Sequence, residues 1–287
     1  MTSATGPTPP PIAPRLIATD LDGTLLRDDK TVSDRTVAAL AAAEAAGIEV
    51  FFVTGRPARW MQVVSDHVQG HGLAICANGA AVVDLHAGGE LLKVHALDRV
   101  TALDVVHALR VAAPGTTFGV ETAGGFHHEP EYPQLFSHDA GTIVAAAEKL
   151  LRVENPASDA PVIKVLAHHR ELEPDAFLAL ARAAVGDLAS LTRSSPSSLL
   201  EISRAGISKA STLALCCAER GISADEVVAF GDMPNDIEML TWAGTSYAMG
   251  NAHPDVIAAA SGRTASNTED GVAVVIEEIL RRLNGGR

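Results

Sequence analysis

The chain has little cysteine, few aromatic side chains and no excess of positive charge. Of its 287 residues only Cys76, Cys216 and Cys217 are cysteines, and none forms a C-x-x-C pair. This set excludes a zinc finger and a disulfide framework. Aromatic residues are 4% of the chain, too few for a platform that stacks single-stranded bases. A net charge of −13 at pH 7 argues against duplex DNA, whose binders need a basic face. We therefore expect no nucleic-acid partner.

Long apolar runs are also missing. No apolar stretch reaches the roughly 18 residues that a membrane-spanning helix needs. Residues 1–14 are rich in threonine and proline and lack the basic and apolar regions of a signal peptide. We interpret residues 1–14 as a disordered tail. We expect a cytoplasmic protein that has no membrane partner.

Two separate parts of the sequence alternate buried strands with helices. Residues 16–19, 48–53 and 73–77 are short apolar runs typical of buried strands. A helix is predicted between the first two, with Ser33 as its N-cap and Gly47 as its stop. The same alternation resumes after residue 198, with a strand at 227–231. Such alternation predicts an α/β fold with a doubly wound parallel sheet.

The stretch between these parts has a different pattern. Its predicted strands and helices are separated by turn-rich pieces such as Thr122-Ala-Gly-Gly125. We interpret it as a separate α+β unit. The predicted organisation is a core made of residues 15–83 and 199–287, with residues 84–198 inserted as a second domain.

Carboxylates follow two of the predicted core strands. Asp20 and Asp22 come after the first strand, and Asp232 comes after the strand at 227–231. Ligands of open α/β sheets bind at the carboxyl ends of the strands, so these side chains are expected in one crevice. Carboxylate oxygens suit Mg²⁺. Lys209 begins a predicted helix, an end that favours anions. Together these residues indicate phosphoryl transfer.

The same residues occur in the order of the motifs of the haloacid dehalogenase superfamily, which the sequence resembles. The matching segments are Asp20-Leu-Asp22-Gly23-Thr24 (DxDGT), Thr54-Gly55-Arg56, Lys209, and Gly231-Asp232-Met-Pro-Asn235-Asp236 (GDxxND). Asn78-Gly79-Ala80 and Leu200-Glu201-Ile202 are similar to segments of the Cof-type, or IIB, branch. Four motifs in the family's order argue against coincidence.

The resemblance implies a Rossmann-like core with an inserted α+β cap domain of type IIB, which selects the substrate. It implies a Mg²⁺-dependent phosphatase in which Asp20 is the nucleophile and forms an aspartyl-phosphate. Asp22 would be the general acid and then the base. Mg²⁺ would be held by the Asp20 carboxylate, the Asp22 backbone carbonyl and Asp232. Because Asp22 must hold a proton at the first step, we expect its pKa to be raised.

The resemblance assigns the other motif residues to the phosphoryl group and its surroundings. Those expected to contact phosphate or substrate are Thr54, Gly55, Arg56, Lys209 and Asn235. The supporting residues are Gly23, Thr24 and Asp236, the last of which would orient Lys209 or a metal-bound water.

Two adjacent histidines in the inserted unit are candidates for selecting the substrate. His127 and His128 follow a glycine turn, and neighbours on a strand point to opposite faces, so the two cannot easily chelate one metal. We interpret the segment as a hairpin of the cap. Substitution of either histidine is expected to change the ranking of substrates.

The expected activity is hydrolysis of small phosphorylated metabolites, first among them sugar phosphates. The alternatives are a phosphomutase, a phosphatase dedicated to one sugar-glycerate or disaccharide phosphate, and, in another class, a non-catalytic ligand-binding relative. The inserted unit carries more acidic than basic side chains, which argues against recognition of a second phosphate. The sequence leaves the physiological substrate and the oligomeric state open.

Overall fold

The computed structural model describes residues 13–61, 64, 72–133, 141–152, 160–194 and 197–285. All but the last two residues of the predicted disordered tail lie outside the described part of the chain. The described strands are β1 (Leu16–Thr19), β2 (Glu49–Val53), β3 (Leu73–Cys76), β4 (Ala81–Asp84), β5 (Glu90–Val94), β6 (Thr117–Thr122), β7 (Gly125–His128), β8 (Val162–His168), β9 (Ala189–Thr192), β10 (Leu199–Arg204), β11 (Val227–Gly231), β12 (Thr245–Ala248) and β13 (Gly262–Arg263). The described α-helices are α1 (Asp34–Ala45), α2 (Arg99–Ala112), α3 (Ala147–Leu150), α4 (Pro174–Val185), α5 (Lys209–Glu219), α6 (Ile237–Trp242), α7 (Pro254–Ala259) and α8 (Gly271–Gly285).

The larger of the two sheets forms the core domain. Its eight strands lie in the order β13-β12-β11-β1-β2-β3-β4-β5, and all pairs are parallel except β3 with β4 and β4 with β5. Helices α1 and α8 pack on one face, and α5, α6 and α7 pack on the other. Because both faces are covered, the central strands are fully buried apolar runs. The predicted doubly wound α/β core is confirmed.

The smaller sheet belongs to the inserted unit, which we call the cap. Its five strands lie in the order β7-β6-β8-β10-β9, and all its pairs are antiparallel. Helices α2, α3 and α4 pack on one face through an apolar cluster. The other face carries Glu121, Lys164 and Glu201 toward the core domain. The cap is therefore a two-layer α+β unit whose charged face lies over the core.

The two sheets do not divide at the residues predicted from the sequence. Strand β5 lies in the core sheet, although residues 84–198 were assigned to the cap, and β10 lies in the cap sheet, although the core was expected to resume at 199. Both predicted limits are wrong by one strand. The first limit is misplaced because β4 and β5 form an antiparallel hairpin, which in sequence resembles the antiparallel cap more than the parallel core.

Serine side chains cap two of the core helices, and the cap at Ser33 is the one predicted from the sequence. The Ser33 side chain accepts a hydrogen bond from the Thr36 amide (3.1 Å), and Ser208 accepts one from the Ser211 amide (3.2 Å). These bonds satisfy amides that have no partner within the helix. None of the helices in the described ranges has both the length and the apolar character that a membrane span requires.

Candidate active site

The predicted catalytic residues meet at the carboxyl edge of the core sheet. Strands β11, β1 and β2 are adjacent and parallel, so the residues that follow them, Asp232, Asp20 and Thr54, emerge at the same edge. A cavity of 670 Å³ lies there, with walls from both the core and the cap. This volume is in the range of small-molecule sites.

Asp20 is held by a buried ammonium group. The Lys209 Nζ atom donates to Asp20 Oδ1 (2.6 Å) and to Asp236 Oδ1 (2.7 Å), and the Lys209 side chain is only 1% exposed. Burial would lower the pKa of Lys209, but the carboxylates of Asp20 and Asp236 raise it above its ordinary value. Lys209 therefore stays protonated and contacts one carboxylate oxygen of the predicted nucleophile.

Asp232 is positioned by the first motif. The Thr24 hydroxyl donates to Asp232 Oδ1 (2.9 Å). Gly23 has a φ of +80°, and a Cβ atom there would lie 2.3 Å from Asp232 Oδ2. Only glycine both adopts this conformation readily and leaves room for the carboxylate. Gly23 and Thr24 thus place Asp232 beside Asp20.

A cation fits the group of carboxylates at this edge. One carboxylate oxygen from each of Asp20, Asp232 and Asp236 lies within 4.8 Å of the others. Burial, reinforced by Asp236, raises the pKa of Asp232 to about 7. Burial also raises the pKa of Asp20 well above its ordinary value, although Lys209 opposes this shift. Three buried carboxylates with one ammonium are short of positive charge, and their oxygens are the ligands that Mg²⁺ prefers.

Asp22 has different surroundings from those expected. Arg56 donates to both of its carboxylate oxygens (2.6 and 2.8 Å), and Lys30 Nζ donates to Oδ1 (2.8 Å). Burial alone would raise the pKa of Asp22, but these hydrogen bonds lower it to about 2. The expectation of a raised pKa is wrong for this arrangement, because the sequence does not show that Arg56 reaches across to Asp22.

Four of the five residues predicted to contact phosphate or substrate line the cavity. Thr54, Gly55, Arg56 and Asn235 line the cavity. The Thr54 hydroxyl accepts a hydrogen bond from the Arg56 amide (3.1 Å), so this short loop is held in shape by its own side chain. Lys209 is not among the described residues of the cavity wall and reaches the site through Asp20.

The two histidine candidates do not line the catalytic cavity. His127 points to the helix side of the cap sheet, where its Nδ1 atom accepts a hydrogen bond from the Ile143 amide (3.1 Å). His128 is hydrogen-bonded to the Glu129 carbonyl (2.8 Å) and stacks on Phe126. Both side chains are buried in the cap. The predicted hairpin is present, but its histidines pack within the cap and are not among the described residues of the cavity wall; their effect on the ranking of substrates stays a prediction.

Other cap residues occupy the cavity wall instead. Glu201 accepts hydrogen bonds from Lys164, from Ser194 and from Asn78 of the core, the last at 3.1 Å. Lys164 Nζ also donates to the Gly55 carbonyl (2.7 Å). This network joins the cap to the loop that follows β2. Lys164 and Glu201 could have been found from the sequence, because each is a charged residue within an apolar strand. A buried charge is costly without a partner, so such a residue indicates an ion pair or a site.

We expect Glu201→Gln to destabilise the protein. The amide removes the countercharge of Lys164, which is buried, so the free energy of unfolding should fall by about 3–5 kcal/mol. Denaturant titration measures this change. The matched control is Glu219→Gln, which breaks the exposed ion pair with Lys93 and should have little effect. Equal effects of the two substitutions would show that the cap–core network does not stabilise the fold.

The chain is similar to known hydrolases in sequence and to solved structures in fold. A family model described as haloacid dehalogenase-like hydrolase matches residues 17–276. The chain is 30% identical to the 5-amino-6-(5-phospho-D-ribitylamino)uracil phosphatase YitU of Bacillus subtilis, with 92% of this chain and 97% of the relative covered. It is 31% identical to the pyridoxal phosphate phosphatase YbhA of Escherichia coli, with 91% and 97% covered. The solved structure of the subclass IIB sugar phosphatase BT4131 has the same fold, with a TM-score of 0.75, 24% identity, and 92% of this chain and 98% of that chain covered.

Proposed function

This chain belongs to the haloacid dehalogenase-like hydrolase family, and from that premise we propose that it is a Mg²⁺-dependent phosphatase of small phosphorylated metabolites. The observation that carries the proposal is the position of Asp20. Its carboxylate follows the central strand β1, contacts Lys209, and faces a cavity of small-molecule size. A carboxylate in that position can attack a phosphoryl group and form an aspartyl-phosphate, which divides one difficult displacement into two.

The attack brings the negative Asp20 carboxylate close to a negative phosphoryl group, and positive charges at the site offset this repulsion. Lys209 lies 2.6 Å from Asp20 and contributes a full positive charge behind the attacking carboxylate. Asp20, the Asp22 carbonyl and Asp232 would hold Mg²⁺, which when bound would neutralise negative charge on the phosphoryl oxygens. Asp236 accepts the second Lys209 hydrogen bond and also accepts from the backbone amides of Asp232 and Met233 (both 3.1 Å). It therefore positions the lysine and the loop that carries Asp232.

We propose that Asp22 acts first as the general acid and then as the general base, and that Arg56 controls whether its carboxyl group is protonated. While Arg56 and Lys30 are bonded to it, Asp22 is ionised, so it can accept a proton from water but is a weak base in that state. A phosphate dianion in the cavity competes for the Arg56 guanidinium, because Arg56 also lines the cavity. Loss of that partner would let the pKa of Asp22 rise, so that the side chain could protonate the leaving group.

The cavity favours a leaving group without strong charge. Its charged cap residues are paired, Glu121 with Arg59 and Glu201 with Lys164. A second phosphate would have to displace one of these carboxylates. We therefore propose metabolites with a single phosphate, such as sugar phosphates. The relatives named for pyridoxal phosphate and for a phosphoribitylamino-uracil support this class.

A panel of phosphorylated metabolites with Mg²⁺ tests the proposal. Released inorganic phosphate is the readout, and the expected result is hydrolysis of sugar phosphates and related monophosphates. Phosphate returned to another position of a sugar would indicate a phosphomutase. Absence of turnover across the panel, with substrates still bound, would favour a non-catalytic relative.

We expect Asp22→Asn to separate the two chemical steps. With para-nitrophenyl phosphate the leaving group needs no proton, so the first step should proceed and release about one nitrophenolate per chain. Attack by water lacks its base, so the steady rate should then fall by about 10²–10⁴-fold. Rapid-mixing absorbance measures both phases. With a sugar phosphate the variant should not release the sugar in a rapid first phase, since the leaving alkoxide needs a proton from the acid. If the Asp22→Asn variant kept the steady rate of the wild type, Asp22 would have no part in the mechanism.

A further inference from the structure

A second cavity lies beside the catalytic one, at the junction between core and cap. Its volume is 410 Å³. Three residues line both cavities: Pro57 and Arg59 of the core and Glu121 of the cap. Because these residues separate the two cavities, one molecule can extend through both when the shared side chains move apart.

The common wall is an ion pair between the two domains. Arg59 lies in a short turn that follows the loop of Thr54, and its guanidinium is 5.1 Å from the Trp60 ring centroid. Its partner Glu121 lies on β6 and is buried. Because one partner belongs to the core and the other to the cap, a relative movement of the domains or a competing group can separate them.

The second cavity differs chemically from the catalytic one. Apart from Arg59 and Glu121, the described residues that line it carry no charge. Leu91, Phe126 and Ile163 supply apolar walls. The Thr122 hydroxyl is engaged within the hairpin turn, where it donates to the Gly125 carbonyl (3.0 Å) and accepts from the Gly124 amide (3.2 Å). Such a space suits an uncharged, apolar group and disfavours a phosphate or carboxylate.

We propose that the second cavity receives the distal, uncharged part of a long leaving group, and that the Arg59–Glu121 ion pair is the gate between the two cavities. The inference rests on the proposed phosphatase function and adds a substrate class, phosphomonoesters with an extended apolar end. The phosphoryl group stays at Asp20, and the chain of the leaving group passes Arg59 and Glu121. The Gly124–Gly125 turn and Phe126 then contact the distal group.

The first test uses the wild-type protein and a series of ω-phenylalkyl phosphates with Mg²⁺. As the alkyl chain lengthens from benzyl phosphate to phenylhexyl phosphate, all of them alkyl esters, kcat/KM should rise at least about tenfold once the ring reaches the second cavity, since burial of an aromatic ring is favourable. A kcat/KM that does not change with length would overturn the proposal. The metabolite panel is run in parallel: hydrolysis of a panel member but of no phenylalkyl phosphate would overturn this proposal alone, whereas no hydrolysis in either set would mean that the proposed phosphatase function itself fails.

The second test uses variants on the two sides of one strand. Leu91 lines the second cavity and is 40% exposed, whereas its neighbour Leu92 is 48% exposed and lines a different groove. Leu91→Trp should narrow the cavity and lower the ratio of kcat/KM for phenylhexyl phosphate over benzyl phosphate by at least about tenfold. Leu92→Trp, with the same added volume, should leave that ratio within about twofold.

Opening the gate should act in the opposite direction. Glu121→Gln keeps the shape but removes the charge that holds Arg59, so the long-to-short ratio should rise several-fold. Using a ratio corrects for any general loss of activity, which hydrolysis of benzyl phosphate reports separately. An unchanged ratio in both Leu91→Trp and Glu121→Gln, with benzyl phosphate still hydrolysed, would show that the second cavity takes no part in substrate binding while leaving the phosphatase proposal intact.

Discussion

Asp20→Asn is expected to lower kcat by at least about 10⁴-fold, because the amide cannot attack the phosphoryl group. Asparagine has the same size as aspartate, and its carbonyl oxygen can still accept the hydrogen bond from Lys209. Burial raises the pKa of Asp20, which means that the ionised carboxylate is disfavoured there. Lys209 also keeps the carboxylate of Asp236 as its countercharge, so the neutral amide should leave the fold intact. Phosphate release measures the rate, and thermal melting measures the fold.

The matched control for this substitution is Asp29→Asn. Asp29 is an exposed carboxylate nine residues further along, bonded to Thr31, and its replacement should change kcat by less than about twofold. Acid quenching of the wild type during turnover should trap one phosphoryl group on the chain, and the Asp20→Asn variant should trap none. Retention of wild-type turnover by Asp20→Asn would assign the attack to another group.

Removal of divalent metal is expected to lower turnover by at least about 10³-fold, and Mg²⁺ should restore it. The physical reason is the excess of negative charge at the site, where three buried carboxylates face one lysine. Ca²⁺ should restore little activity, because its larger and looser shell changes the position of the ligands. Full activity after exhaustive metal removal would contradict the proposed mechanism.

Metal binding can be measured without turnover. A ligand that binds only the folded state stabilises it, by about 2.7 kcal/mol at a concentration 100-fold above its Kd. Mg²⁺ should therefore raise the melting temperature of the wild type. Asp232→Asn should lose this increase, since a carboxylate ligand is removed. Asp22→Asn should keep it, because only the backbone carbonyl of Asp22 is proposed as a ligand. The same increase in Asp232→Asn would place the metal elsewhere.

Much of the core fold follows from local signals. Residues 16–19 were predicted as a strand, and β1 spans Leu16–Thr19; residues 227–231 were predicted as a strand, and β11 spans Val227–Gly231. Apolar runs, N-cap serines and stop glycines act over a few residues, so they can be recognised without the rest of the chain. The convergence of Asp20 and Asp232 followed from the same signals, because parallel neighbours end at one edge.

The limits of the two domains could not be obtained in this way. Strand β5 extends the core sheet, and β10 belongs to the cap sheet. Strand pairing joins residues that are far apart in the chain, and a short apolar strand carries little information about which sheet it will join. A hairpin in sequence therefore does not show on which side of a domain limit it lies.

The sequence by itself determined which side chains are the candidates for catalysis and the order in which the core presents them. Only the tertiary structure decided their partners: Asp22 with Arg56, Lys209 between Asp20 and Asp236, and the cap carboxylates in place of the histidines. The physical reason is that the charge state and the contacts of a side chain depend on groups brought near it by folding, whereas its position at a strand end depends on its immediate neighbours. His127 and His128 illustrate this, since strand register turned one to the helix face and packed the other against Phe126.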